Sequence, residues 1–574
     1  MKKRLTALLL TVIVALSVFA VSAMGMAPAS EGYRFAWAAD VPGLNAHDLN
    51  FIAVADWHAW THSGLFRRVP TPDGLSSQLI PDIASELPYT VDDEGLVWHV
   101  PLRPYARFHN GTPITAHTFV DSYRFLLCPV MGNVMWNFLA GQIIQIENAA
   151  AFHHGEIDDW DLVGIRAYDD HTLEIRTALR FRVDQFMTHF LDRSTFPVYV
   201  DLYRELMSDE GDYTTYGTTL DNWVGAGPFI PETWVPDALH VFRRNADHWL
   251  ADYFHWEQVQ ARIVGDQGTR MQLFEAGEID LLNLEATDLP QFLDDPRLLE
   301  TLGVSPTHID INNLNPDQPI LASMYFRRAL YWAINRNVLS NLVNARPGPT
   351  YIGYEAGAFL GDGTLFRISD VGINNLPLNS GFDPDLAAIF FELALQEAGV
   401  DSVSLRFLYV DVNVPHRVAG EFLQESLPQI FGEDRFELVL TPMPLATIGA
   451  ARNWRYTYDW DLTIVGWGTG AQRNFPHQAF QHMINPDTRP NPFLPDTFLE
   501  RWHAANELTF ADVLDYDALF AAAAELESMW VDYAVNIPLW HPVTFRLLSE
   551  RVDVPMQQHL PAIEHGWHFG WVVE

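Results

Sequence analysis

Apolar and polar positions along this chain repeat with two different periods, and the period switches many times. Residues 96–103, LVWHVPLR, follow the turn Asp92-Asp93-Glu94-Gly95 and read as a strand. Thr115 then opens a stretch with Phe119, Tyr123, Leu126 and Leu127 on one helical face. Residues 172–178, TLEIRTA, alternate as a strand after the turn Asp169-Asp170-His171.

Helix signals are sharper in the second half. Asp383-Pro384 supplies an N-cap followed by proline at the first helical position, and Gly399 supplies the stop. Between them Leu386, Ile389, Phe390, Leu393 and Ala394 are expected to form the buried stripe. A second helix starts near Ser323 with Phe326, Ala329, Leu330, Ala333 and Ile334 inward. A third starts near Asp515 and buries Leu519, Leu526, Met529, Trp530 and Tyr533. Gly- and Pro-rich breaks near 345–365 and 485–497 read as surface loops. Strands and helices mixed in this way predict an α/β or α+β protein of more than one lobe.

The start of the chain changes the picture. Met1-Lys2-Lys3-Arg4, the apolar run Leu5 to Ala20 and the small-x-small site Val21-Ser22-Ala23 read as a secretory signal peptide over residues 1–23, with cleavage as late as 29 allowed. No later stretch has the length and apolarity of a membrane span. No cysteine follows the apolar run, so there is no acceptor for a bacterial lipid anchor, and a periplasmic or extracellular location is expected. Cys128 is the single cysteine and cannot form an internal disulfide, so the fold must be held by its core.

Composition supplies that core: 48% of the 574 residues are hydrophobic, and 19 Trp and 36 Phe offer both packing area and stacking platforms. The formal charge of −38 excludes a nucleic-acid partner, which needs clustered cations, and argues against docking on anionic lipid. Lys2 and Lys3 are the only lysines, so every later basic residue other than histidine is arginine.

Enzymatic signatures are missing. The chain has no HExxH, GxSxG, GxxxxGK[ST] or GxGxxG. A secreted hydrolase built on a carboxylate pair stays open as the alternative, although 73 acidic residues make chance pairs common. His153-His154 and the pair His565 and His568 lack acidic or cysteine partners at metal-ligand spacing, so neither metal nor cofactor is expected.

Eight short phrases occur in one order: 79–87 LIPDIASEL, 96–120 LVWHVPLRPYARFHNGTPITAHTFV, 225–249 GAGPFIPETWVPDALHVFRRNADHW, 269–280 TRMQLFEAGEID, 326–336 FRRALYWAINR, the helix at 382–399, 459–467 DWDLTIVGW and 537–542 IPLWHP. Together they resemble the family 5 extracellular solute-binding proteins of ABC importers, which include oligopeptide-, dipeptide- and nickel-binding proteins. Leu87 stands where that family usually has Trp. Gly225 and Gly227 are expected to allow backbone torsions that other residues avoid, at a crossing between lobes.

The resemblance implies an α/β, two-lobed periplasmic-binding-protein fold of type II with an extra inserted domain, a monomer whose partners are an ABC permease and ATPase. It implies domain I from 30–75, 193–290 and 541–574, domain II from 76–192 and domain III from 291–540. It also implies a binding protein with no catalytic residue, whose lobes close over a small ligand. In peptide-binding relatives the segment after the GW phrase supplies an Asp for the peptide's amino terminus. Here that segment reads Gly466-Trp467-Gly468-Thr469-Gly470-Ala471-Gln472-Arg473-Asn474, with Arg473 and no acid. An ammonium beside Arg473 is repelled. The expected ligand is therefore neutral or anionic: an oligosaccharide, a blocked or modified peptide, or an acidic small molecule. Trp467 would stack on it while Gln472, Arg473 and Asn474 donate hydrogen bonds; Trp57, His58, Trp136 and Phe138 are the other expected wall residues.

Overall fold

A computed structural model describes residues 32–573, apart from 42, 48–52, 76, 141–143, 192, 303–305, 345–365, 367–368, 376–377, 412, 445–446, 449–459, 467–474, 481–493, 512 and 557–565. The signal-peptide segment and most of the two Gly- and Pro-rich breaks lie outside the described residues. Three sheets organise the rest. A seven-stranded sheet runs in the order Leu298–Leu302, Val543–Leu548, Leu281–Leu284, Gly32–Trp37, Gln258–Ile263, Leu239–Arg244 and Phe229–Val235. Its centre is parallel, with Gly32 opposite Gln258 through Trp37 opposite Ile263. A four-stranded antiparallel sheet runs Tyr89–Thr90, Val97–Pro101, Thr172–Arg176 and Ile165–Asp169. A five-stranded sheet runs Phe436–Met443, Val403–Val410, Leu462–Gly466, Thr307–Ile311 and Ile537–Trp540. These four strands of the second sheet lie within residues 76–192, the span expected for domain II. The strand Leu298–Leu302 pairs with Val543–Leu548 in the first sheet, beyond position 291, where domain III is expected to begin.

Local signals account for several elements. The helix Ala116–Leu126 follows Thr115 and buries Phe119, Tyr123 and Leu126. The Ser323 hydroxyl caps Met324–Ala333, which buries Phe326, Ala329 and Leu330. In Pro384–Ala398 the Asp383 carboxylate accepts from Leu386 N at 3.0 Å, and Gly399 ends the helix at φ 69°. The expected stripe of that helix is corrected. Ala387, Phe391, Ala394 and Leu395 are buried, whereas Ile389 is 58% exposed and Leu393 is exposed as well. Apolar residues lie on every side of this helix, and the phase is set by Phe391, which stacks on Phe431 at 4.4 Å.

The ordered phrases interlock in space. Asp82, from 79–87, accepts from Arg67 Nε at 2.8 Å and from Trp249 Nε1, at the end of 225–249, at 2.7 Å. His109, from 96–120, accepts from Gly225 N at 3.1 Å and donates its own backbone N–H to Gly225 O. Arg336, at the end of 326–336, is fully buried and donates from Nε to Pro538 O, in 537–542, at 2.7 Å. Burial lowers its pKa to about 10. These phrases are sites where distant parts of the chain lock together by buried hydrogen bonds, which are expensive to leave unmade.

Gly225 and Gly227 are special positions, but not for the expected reason: neither takes a positive φ. A Cβ on Gly227 would meet Thr61 C at 2.1 Å and His62 N at 2.3 Å, and Gly227 N donates to Thr61 O at 2.8 Å. Close backbone approach, not torsion, requires glycine there.

Two adjacent strands carry the chain between the seven- and five-stranded sheets. Leu298–Leu302 leads to Thr307–Ile311, and Ile537–Trp540 leads through His541-Pro542 to Val543–Leu548. Leu302 pairs with Val543 on one side of the crossing, and Thr307 with Trp540 on the other. The crossing is thus flanked on both sides by paired strands, a ribbon whose residues 303–305 lie outside the described ones, and two such connections side by side are the form expected of a hinge. Among the described residues no helix is long and apolar enough to cross a membrane.

Candidate functional site

Trp467, Gln472, Arg473 and Asn474 lie outside the described residues, but both ends of their segment are fixed. It leaves the five-stranded sheet at Gly466, which pairs with Thr307, the same residue that pairs with Trp540 on its other side. The segment therefore starts at the rim of the sheet where the ribbon crosses. It returns at Phe475 and the short helix Pro476–Phe480, all buried. Gln478 Oε1 accepts from Phe475 N at 3.1 Å and fixes that return. His477 O accepts from Trp502 Nε1 at 3.0 Å, and burial lowers the His477 pKa to about 4, so its ring is neutral near pH 7.

Trp57 and His58, expected at the cleft wall, are buried in the part built on the seven-stranded sheet instead. The helix Ala53–Thr61 lays Trp57 against Phe242 at 4.6 Å and His240 at 5.0 Å, and its ring is 0% exposed. His58 is equally enclosed, edge-on to His62 at 4.5 Å. Neither presents surface to a ligand in this arrangement. Trp136 and Phe138 are half-buried. One face of Trp136 is covered by His153, stacked at 4.3 Å, and Phe138 packs on the core of the part holding the four-stranded sheet.

A group of buried histidines fills the junction beneath Gly225 and Gly227. His62 stands 5.3 Å from Trp223, and Thr61 Oγ1 lies 2.9 Å from His62 Nδ1. Burial, then the neighbouring His47, lowers the His62 pKa to about 3; burial alone lowers His47 to about 4. These rings are neutral packing groups near pH 7. Among the described residues no group of three or more His, Cys, Asp or Glu side chains is placed to hold a metal.

Residues that sequence reasoning did not reach surround the ribbon. Asn344, the last residue of Arg336–Asn344, donates from Nδ2 to His541 O at 2.9 Å and accepts at Oδ1 from Val543 N at 3.4 Å. Its amide thus takes the place of a neighbouring strand at the crossing. An asparagine at a helix end carries no sequence signal for this role.

The residues from 78 to 489 match the model of the bacterial extracellular solute-binding proteins, family 5. The chain belongs to that family. It is accordingly a binding protein and not an enzyme, and its place is outside the cytoplasm. The chain is 23% identical over 483 residues to the dipeptide-binding protein DppE of Bacillus subtilis, covering 83% of this chain and 78% of that protein. It is 28% identical over 243 residues to the probable deoxycholate-binding periplasmic protein YgiS of Escherichia coli, covering 42% and 43%. The peptide-bound OppA of Listeria monocytogenes superposes with a TM-score of 0.75 over 95% of this chain and 99% of that one, at 18% identity. The fold is thus the two-lobed α/β fold of these proteins.

Proposed function

We propose that this chain is the substrate-binding component of an ABC importer and captures a small organic solute between two closing lobes. The ribbon at 302–307 and 540–543 serves as the hinge, and the parts carrying the three sheets serve as three domains, two of them forming one lobe. The ligand is a blocked or modified peptide, an oligosaccharide or an acidic small molecule. Trp467, Gln472, Arg473 and Asn474 contact it, with Trp136 and Phe138 at the far wall. The observation that carries this choice is Arg473 in a segment, 467–475, that contains no acid. A donor-only guanidinium suits a carboxylate or a carbonyl and repels a free ammonium. A relative named for dipeptides and another named for deoxycholate support a family whose members differ in ligand chemistry.

Isothermal titration of the purified protein with tri-alanine, N-acetyl tri-alanine and deoxycholate tests the choice. The acetylated peptide or the bile acid binds at least ten-fold more tightly than free tri-alanine, and Arg473→Ala narrows the gap. Tight binding of free tri-alanine that acetylation abolishes overturns it.

A further inference from the structure

The helix Val183–His189 belongs to the inserted part of the chain, and the turn Leu508–Phe510 belongs to the part built on the five-stranded sheet. They touch across the gap between the lobes. Arg182 Nη1 donates to Thr509 O at 3.0 Å, and Gln185 Nε2 donates to Thr509 Oγ1 at 3.2 Å. The Arg180 guanidinium lies 4.6 Å from the Phe510 ring centre, within the range of a cation–π contact. Gln185 is 1% exposed and Thr509 0%, so their bond is sealed from water.

Polarity along this contact is fully determined. Gln185 Oε1 accepts from Arg182 N at 2.9 Å, so its Nε2 is the end left to donate across the gap. Thr509 Oγ1 donates to Asn506 O at 2.6 Å and thus has a lone pair to receive it. Asn506 Oδ1 stands 3.5 Å from His477 Nε2, three residues beyond the segment 467–474. The contact is thereby built into the same support that holds one end of the proposed ligand segment.

We propose that Arg182, Gln185 and Thr509 form a latch that biases the lobes toward the closed arrangement, and that they are positioning residues for ligand retention. This inference rests on the hinge-closing reading above. A buried hydrogen bond that forms only when the lobes meet contributes to the closed form alone, which is the condition for shifting the population. Thr509 and Gln185 cover each other, so they act through closure and not by touching ligand.

Small-angle X-ray scattering on the purified ligand-free protein, with amide exchange at 506–511 as the local readout, tests the latch. Gln185→Ala and Arg182→Ala are expected to lower the closed-to-open ratio about ten-fold and to speed exchange at 506–511, with exchange in the seven-stranded sheet unchanged. Thr509→Ser keeps the hydroxyl and stays like the parent, whereas Gln185→Glu loses the donor and behaves like Gln185→Ala. Identical scattering and exchange in parent, Gln185→Ala and Arg182→Ala overturn the proposal, as does a loss of closure in Thr509→Ser equal to that of Gln185→Ala. No ligand enters this experiment, so a wrong ligand class shows only in the titrations.

Discussion

Asp280 is the position where one substitution should do most harm to the seven-stranded sheet. Its side chain is fully buried, and Arg34 meets it at Nη2–Oδ1 3.0 Å while Arg551 Nε reaches Oδ1 at 2.9 Å. Arg34 N also donates to Oδ2 at 2.8 Å, and Arg551 Nη2 bonds both Asp280 and Gly32 O. One carboxylate therefore ties the first strand, the strand Leu281–Leu284 and the chain after Val543–Leu548. Asp280→Asn keeps the shape but leaves two largely buried guanidinium groups facing an amide. Breaking a buried pair from one side costs about 3–5 kcal/mol. Urea unfolding followed by Trp fluorescence should show the first transition moving by that amount with an unchanged m-value. Arg551→Met added to Asp280→Asn should recover part of the loss, because one stranded cation is gone. A shift under about 1 kcal/mol for Asp280→Asn, the range of an exposed pair, would refute the view that this carboxylate is the clasp.

Acid should weaken the part of the chain that buries His47 and His62. The folded pKa of His47, about 4, and of His62, about 3, lie below the unfolded value of about 6.5, so the unfolded chain takes up protons first as pH falls. Stability from each is complete above about pH 7 and is lost at up to about 1.4 kcal/mol per pH unit on the way down; a Tm that stays level from pH 7.5 to 4.5 contradicts this, and His62→Gln should flatten the slope. Gly227→Ala places a methyl against backbone at 2.1 Å, where nothing flexible yields, and should cost about 3 kcal/mol or block folding, read as soluble yield and Tm. Asn344→Ala strips the ribbon of its amide partner and leaves His541 O and Val543 N to find another; a loss of about 1–3 kcal/mol with faster amide exchange at 541–543 is expected, and unchanged exchange there argues against the role.

Caps and periodicity make the elements legible in the sequence. Asp383, Ser323 and Thr115 mark helix starts by local chemistry, and the structure starts helices directly after each. What stayed hidden was whatever depends on distant partners. The phase of Pro384–Ala398 follows from Phe431, more than thirty positions away, and no pattern inside an all-round apolar helix reveals it. Trp57 and His58 carry the aromatic and imidazole chemistry of a binding wall, yet the strand holding His240 and Phe242 folds over Trp57, and His58 is enclosed edge-on to His62. Gly227 announced a special backbone, but only the Thr61 carbonyl shows that the requirement is space. Arg182 and Thr509 are separated by 327 positions, and their meeting depends on how two lobes face each other.

That last contact bears on how strongly the proposed ligand must bind. A solute that engages only the closed form has an apparent Kd equal to the intrinsic value divided by the closed fraction. Where the closed form is the minority, each ten-fold loss of that fraction weakens apparent binding ten-fold without altering a single ligand contact. A latch at 182–185 and 509 would therefore set a common scale for every ligand, while the proposed ligand segment 467–474 would set the ranking among them. The two roles separate cleanly in mutants: Gln185→Ala should weaken N-acetyl tri-alanine and deoxycholate by the same factor, whereas Arg473→Ala should narrow the gap between each of them and free tri-alanine. Unequal factors for Gln185→Ala would mean that the latch region reads the ligand itself, which the mutual burial of Gln185 and Thr509 argues against.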